Sequence, residues 1–194
     1  APQRFVYLST TGVYGDRRGR RVDETATMAP ASDRAKRRAA AEALLQRWCD
    51  EHGTERVILR VPGIYGPGRL GVERLRSGAP VIAEAEAGPG NRIHVDDLAA
   101  CCVRALGADA LAGIYNVGDG DHRSSTSFAK SVARLAGLPA PPEISRAHAE
   151  NPVGEGRLSF RRESRIVETR QMQDVLGFVP RYTDPEAGIR ASLD

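Results

Sequence analysis

A chain of 194 residues has room for one domain with a real core, or for one domain and a small appendage. Its 41% apolar and 27% charged content is ordinary for a globular protein, and no run of about 18 apolar residues is present to cross a membrane. The net charge is only +3 and aromatics are 5%, so the basic runs Arg17–Arg21 and Arg34–Arg38 read as solvated charge rather than as a nucleic-acid surface.

The chain opens on Ala1, without Met or a lead-in, and is within a few residues in a strand-like run, which reads as a cut end. Residues 4–9, RFVYLS, form a continuous β-rich apolar run, the pattern of a buried parallel strand. Residues 10–30 are rich in Gly and polar residues and read as a loop. A helix over 33–52 follows, with Ala41, Leu44, Leu45 and Trp48 as its expected core face and Gly53 as its stop. Residues 56–61, RVILRV, read as a second buried strand, so strand, helix and strand make a parallel βαβ unit.

After the loop PGIYGPGRLG comes a short helical piece over 72–77. Asp96 and Asp97 are placed to cap a helix that runs through Leu106, and 113–119 reads as a third strand. Ser124–Ser127 cap a helix to Ala136, stopped by Gly137. Residues 138–158 read as irregular, and 169–176 and 185–193 as two short terminal helices. The fold class is α/β, with a sheet too thin to be covered on both faces and, if the chain is whole, a first strand expected to leave an apolar edge open to pairing. Cys49, Cys101 and Cys102 are an odd set with two adjacent members, which suits the reduced thiols of a cytoplasmic protein better than disulfides. No basic, apolar leader precedes the first strand, and no Cys or His pair has zinc spacing, so neither export nor a metal is expected.

Two stretches carry chemistry. Gly66, Gly68 and Gly71 form a literal GxGxxG, with Glu84 or Glu86 near the distance of a ribose-binding acid, but four residues, GIYG, separate the motif's turn from the strand end. In PASDRAKRRAAAE, residues 30–42, the helix-start residues Pro30, Ser32 and Asp33 are followed by Arg34, Lys36, Arg37 and Arg38. Cations in a first turn oppose the helix dipole by about 0.3–1 kcal/mol each when exposed. Either they meet an anionic or polyhydroxyl ligand there, or they form a surface cluster paired with Asp23 and Glu24.

Six segments in fixed order, YLSTTGVYGD, the helix start with Glu42, VILRVPGIYGPG, RIHVDDLA, IYNVGDG and VLGFVPRYTDPEAGIRASL, resemble the extended short-chain dehydrogenase/reductase family, the sugar-nucleotide epimerase and dehydratase group. The resemblance implies the C-terminal part of a Rossmann-type doubly wound parallel sheet plus a small mixed α/β substrate subdomain. Residues 1–65 would belong to the nucleotide domain and 66–194 to the substrate region, with 113–119 returning to the sheet. The glycine-rich pyrophosphate loop would lie upstream of Ala1. The resemblance places a catalytic hydroxyl at Thr10, beside Ser9, where a strand-end Thr capping its own backbone is the plainer alternative. It sets Pro62, Gly63, Ile64 and Tyr65 against a nicotinamide ring; the alternative is a Gly/Pro turn with an exposed aromatic. It lets Arg92, His94 and Tyr14 face a substrate, although His94 also fits a satisfied structural imidazole. The family's phosphate-gripping Arg falls on Gly90.

The same resemblance puts a catalytic Tyr at 34 and a ribose-binding Lys at 38, and this chain has Arg at both, like the family's atypical members. Arg38 can still donate to ribose hydroxyls, whereas the guanidinium of Arg34 keeps its proton at neutral pH and cannot act as the phenol does. Proton transfer would then fall to Tyr65, Tyr14, His94 or water. The implied cofactor is NAD or NADP and the partner a small-molecule substrate, with no nucleic acid, no membrane and a homodimer through helix 33–52. Three readings stay open: an oxidoreductase or epimerase-like enzyme, an NAD(P)-binding protein without turnover, and an inactive fragment.

Overall fold

The computed structural model describes residues 1–149 and 163–193. In chain order the elements are β1 (Arg4–Thr10), a short 3-10 turn (Thr11–Tyr14), β2 (Arg21–Val22), α1 (Asp33–His52), β3 (Glu55–Val61), β4 (Gly63–Tyr65) and α2 (Val72–Arg76). There follow β5 (Val81–Ile82), a second 3-10 turn (Glu84–Glu86), β6 (Arg92–His94), α3 (Val95–Leu106), β7 (Gly113–Asn116) and α4 (Ser125–Leu135). The last are β8 (Glu143–Ile144), α5 (Arg146–Ala149), β9 (Ile166–Val167), α6 (Arg170–Asp174) and α7 (Pro185–Leu193).

Strands β1 and β3 pair in parallel from Arg4 opposite Glu55 to Thr10 opposite Val61, and β7 joins β3 in parallel, giving the order β1-β3-β7. Side chains alternate across β3 with the period of two that a strand imposes. Val57, Leu59 and Val61 pack with Leu98, Cys101 and Ala105 of α3, while Arg60 turns the other way to Glu42 of α1. The central strand is therefore covered on both faces, which corrects the expectation that so thin a sheet could not be. Among the described residues β1 stands at one side of the sheet, and its Phe5 and Leu8 are 40% and 41% exposed.

Three parallel pairs lie outside this sheet: β2 with β9, β4 with β6, and β5 with β8. None exceeds three residues, too short for any apolar period to announce them in the sequence. They are tied by side chains. Asn91 donates to the carbonyl of Arg165 and accepts the N–H of Val167, which holds the β9 segment beside β6.

Helix α1 has the boundaries the sequence predicts, with Ser32 accepting from the Ala35 N–H at 3.3 Å and Gly53 in the left-handed region at φ 63°. Its buried face is not the predicted one. Ala35, Glu42 and Cys49 point inward, whereas Leu44 of the expected core stripe is 61% exposed. A second correction concerns α3, which is capped by His94 accepting from the Asp96 N–H at 3.2 Å rather than by the aspartates. Asp97 instead takes the N–H groups of Arg181 and Tyr182 at 2.8 and 3.0 Å and ties that loop to the helix.

The predicted strand 113–119 ends at Asn116, and the predicted irregular stretch holds β8 and α5 in its first part. Residues 150–158 of that stretch lie outside the described residues. Ser124 caps α4 by accepting from Ser127 at 2.9 Å, and α7 has its predicted limits. All three cysteines are free.

Arg4 fastens the start of β1 to the far end of α3. Its guanidinium donates to the carbonyls of Ala105 at 3.2 Å and Gly107, acceptors that the end of a helix leaves without intrahelical partners, to the Ala110 carbonyl in the loop beyond at 2.7 Å, and to Glu55 at 3.0 Å. Removing this clamp by Arg4→Ala is expected to lower stability by about 1–3 kcal/mol, read by urea denaturation. An unchanged midpoint would show that the clamp carries nothing.

Candidate active site

A buried polar network sets the geometry. Arg60 and Glu42 pair at 2.8 Å with only 3% and 4% of their side chains exposed. Glu42 also accepts from the Ser9 hydroxyl on β1. Arg60 donates to the Tyr14 hydroxyl at 2.9 Å, and Tyr14 in turn donates to Asn116 Oδ1 at 2.7 Å. Asn116 passes its own N–H to Glu24 at 2.7 Å. Burial raises the Tyr14 hydroxyl pKa, against the pull of the Arg60 charge, and burial likewise raises that of Glu24. The chain thus links β1, the first 3-10 turn, α1, β3 and β7 at the carboxyl ends of the strands.

Beyond those ends opens a cavity of about 530 Å³. Of the residues that the sequence singles out, Thr10, Arg34, Pro62, Gly63, Ile64 and Arg92 line it. Thr10 Oγ1 accepts from the Gly12 N–H at 3.1 Å, as a strand-end cap would. That bond uses a lone pair and leaves the hydroxyl proton to donate, so the capping and substrate-facing readings are compatible. Arg34 and Arg38 divide. Arg34 reaches the cavity, while Arg38 lies over β1, donating to the Leu8 carbonyl at 3.0 Å and the Tyr7 hydroxyl at 3.2 Å. The acids offered as alternative partners are engaged elsewhere, Glu24 with Asn116 and Asp23 with Thr25.

Besides Arg38, four expected site residues do not line the cavity. Ser9 and Tyr14 belong to the buried network, because their hydroxyls serve Glu42 and Asn116. Tyr65 is buried, so it is not the exposed aromatic of a turn; its ring meets His94 and Phe128 edge-on at 5.2 and 5.3 Å. His94 is the satisfied imidazole, since Nδ1 accepts from Asp96 and Nε2 lies 3.0 Å from Ser192 Oγ, which donates onward to Gly188 O at 2.6 Å.

The Gly90 substitution has a steric account. A Cβ at Gly90 would stand 2.6 Å from Arg92 Nη2 and 2.7 Å from the Arg123 carbonyl, so Arg92 occupies the room a side chain at 90 would need. Arg92 itself is fixed, donating to the carbonyls of Arg123 and Ser124 at 2.9 Å each and lying 4.4 Å over the Phe128 ring. The GPGRLG motif is a turn between β4 and the five-residue α2, with φ of 154°, 69° and 73° at Gly66, Gly68 and Gly71. It is not the long strand-to-helix turn of a dinucleotide loop. Glu84 and Glu86 accept from Ser124 Oγ and the Arg146 N–H, at 2.7 and 2.6 Å. What the turn does contribute is Arg69, which projects into the cavity and which the glycine spacing concealed.

A parallel α/β sheet with a cavity beyond its carboxyl strand ends is the arrangement of nucleotide-dependent enzymes and binding proteins. The chain belongs to the NAD dependent epimerase/dehydratase family, whose model matches residues 1–118. It is 27% identical over 203 residues to a dTDP-glucose 4,6-dehydratase of Mycolicibacterium smegmatis, covering 98% of this chain and 58% of that one. A conserved Silicibacter pomeroyi protein of unknown function superposes with a TM-score of 0.85 at 30% identity, over 97% of this chain and 65% of the other. The Thermus thermophilus UDP-glucose 4-epimerase in complex with NAD gives 0.77 at 27% identity, over 99% and 63%. The chain therefore spans less than two thirds of these relatives. Among the described residues no group of three His, Cys, Asp or Glu is placed to hold a metal, and no helix is long and apolar enough to cross a membrane.

One buried acid flanks the site. Asp119 Oδ1 accepts from the Asp121 N–H at 2.9 Å, but Oδ2 has no partner among the described residues, nor does the buried Tyr65 hydroxyl. Burial pushes the Asp119 carboxyl up to about 7, against the Asp121 N–H and the Arg92 charge; Asp121 adds to the rise. With its folded pKa above the unfolded one, Asp119 contributes stability that is full below about pH 4 and lost as pH rises through about 7. Asp119→Asn is expected to gain on the wild type by on the order of 3 kcal/mol across that window. Urea denaturation as a function of pH measures the difference, and a pH-independent offset would contradict it.

Proposed function

We propose that this chain carries the catalytic and substrate side of an NAD(P)-dependent oxidoreductase or epimerase/dehydratase of the atypical short-chain type. The observation that supports this reading is the meeting of Thr10 with Pro62–Ile64 at one cavity, beyond the paired ends of β1 and β3. The T. thermophilus relative, solved with NAD, supports the cofactor class. The donor set fits such a group. Arg38 spends only Nη1 on Leu8 and Tyr7, and among the described residues its Nε and Nη2 make no hydrogen bond, so both can donate to ribose hydroxyls. Pro62, Gly63 and Ile64 offer a narrow apolar wall for a nicotinamide ring. When bound, the cofactor supplies a hydride donor or acceptor.

The chain's own part is then positional. Thr10 directs its free O–H at the substrate oxygen, and Arg34 places a permanent positive charge where that oxygen gains electron density. Tyr14, Tyr65 and His94 are turned away, so the proton passes between the substrate oxygen and water, while the Thr10 hydroxyl holds that oxygen in place. A second reading, a protein that binds NAD(P) without turnover, rests on one observation, that no phenol lines the cavity among the described residues.

Two measurements on the full-length protein decide. Arg38→Ala is expected to weaken NAD(P)H binding about tenfold, the loss of charge-assisted bonds worth about 1.4 kcal/mol, as read by nicotinamide fluorescence. Unchanged affinity removes Arg38 from the site. Turnover against a panel of carbonyl compounds supports the enzyme, and tight cofactor binding with no turnover on any of them supports the second reading.

A further inference from the structure

The cavity is strongly cationic. Six arginines line it against one carboxylate, Glu163, and that carboxylate is already held by Arg165 at 2.8 Å. Most of the guanidiniums have structural duties. Arg92 is fixed by the Arg123 and Ser124 carbonyls, Arg165 also donates to the Gly15 carbonyl, and Arg74 to the Pro80 carbonyl at 2.7 Å. Arg146 donates to the Glu86 carbonyl at 2.6 Å, and Arg34 is likewise engaged. Arg69 differs. Its side chain makes no hydrogen bond or ion pair among the described residues, yet it lines the cavity from a turn whose positive-φ glycines fix the backbone on either side.

Arg69 is exposed, so water already screens its charge; what sets it apart is a guanidinium at the cavity whose donors are all unspent among the described residues and so open to an anionic ligand. The remaining lining shows what kind of ligand fits. No aromatic ring faces the cavity among the described residues, so nothing there stacks a nucleobase; the walls are small apolar groups such as Val81, Ile82 and Ala129, with hydroxyls of Thr10, Thr11 and Ser125. The position at which the resemblance expects a phosphate-gripping Arg is Gly90, and Arg92 closes the space above it.

Resting on the site reading above, we infer that the substrate is a small polyhydroxylated acid, bearing a carboxylate or a phosphate monoester, whose charged end is selected by Arg69 while its hydroxylated carbon lies at Thr10. Arg69 is on this view a specificity-determining residue, and the base of a nucleotide sugar has no place in the cavity.

The test titrates the full-length protein with D-glucuronate, glucose 6-phosphate, neutral glucose and UDP-glucose by calorimetry, in the wild type and in Arg69→Gln and Arg69→Lys. Arg69 is exposed at the turn, and matching circular dichroism spectra confirm that the variants fold. The expected result is that one or both acids bind, lose at least tenfold in affinity in Arg69→Gln, and recover most of it in Arg69→Lys. Binding of glucuronate alone assigns a carboxylate, and of glucose 6-phosphate alone a phosphate. Equal affinities in wild type and Arg69→Gln overturn the inference, as does UDP-glucose binding more tightly than either acid, or no binding of either acid at millimolar concentration. NAD(P)H binding, measured separately, distinguishes the two failures. Loss of the acid site with cofactor binding intact rejects only the substrate class, whereas acid binding without cofactor binding rejects the function proposed for the site.

Discussion

The buried pair of Arg60 and Glu42 is the contact on which the rest of the molecule depends. A charge on the central strand of a sheet is unfavourable unless it is paired and fully hydrogen-bonded, and here both conditions hold. Glu42 accepts from Arg60 and from Ser9, and Arg60 Nη1 donates to Tyr14, so each guanidinium nitrogen has a partner. Hydrophobic packing would tolerate several rotations of α1 on the sheet, since its apolar residues lie on more than one face. A carboxylate that must reach one guanidinium and one hydroxyl tolerates only one. That requirement turns Ala35 and Cys49 inward and leaves Leu44 outside.

The site inherits its geometry from that rotation. With Glu42 fixed, Arg38 lies one turn earlier, over β1, and Arg34 a further turn on, at the cavity mouth. The same network holds Tyr14 and so the turn that follows Thr10, whose hydroxyl stands at the end of β1. On the other wall Arg92, fixed by two carbonyls and a ring face, sets the position of the α4 entry. The cavity is thus bounded by side chains that are themselves immobilised, and Arg69, without such bonds, stands apart from them.

Sequence pattern reached the long elements and the family because both leave extended signals. The strands RFVYLS and RVILRV, the helix bounded by Ser32 and Gly53, and the terminal helix 185–193 stand within a residue of their predicted limits. What escaped was two-residue strands with no period, and every case in which a polar side chain outcompeted an apolar one. The apolar spacing in α1 pointed to Leu44, but burial of one carboxylate decided its inward face. Asp97 looked like a cap and is a clamp on residues 181 and 182. Tyr14, Tyr65 and His94 looked available for proton transfer, and their partners or burial become visible only when residues about a hundred positions apart meet. Arg69 lies within GPGRLG, where the glycine spacing conceals it.

The most direct measurement is a double-mutant cycle on Glu42 and Arg60, using Glu42→Gln, Arg60→Gln and the double variant in urea denaturation of the full-length protein. If the pair fixes α1, each single change strands a buried charge and costs about 3–5 kcal/mol, and the double change costs less than the sum by more than about 1.5 kcal/mol. Additivity within about 0.5 kcal/mol would show that the two residues act independently, and that something other than their contact orients the helix.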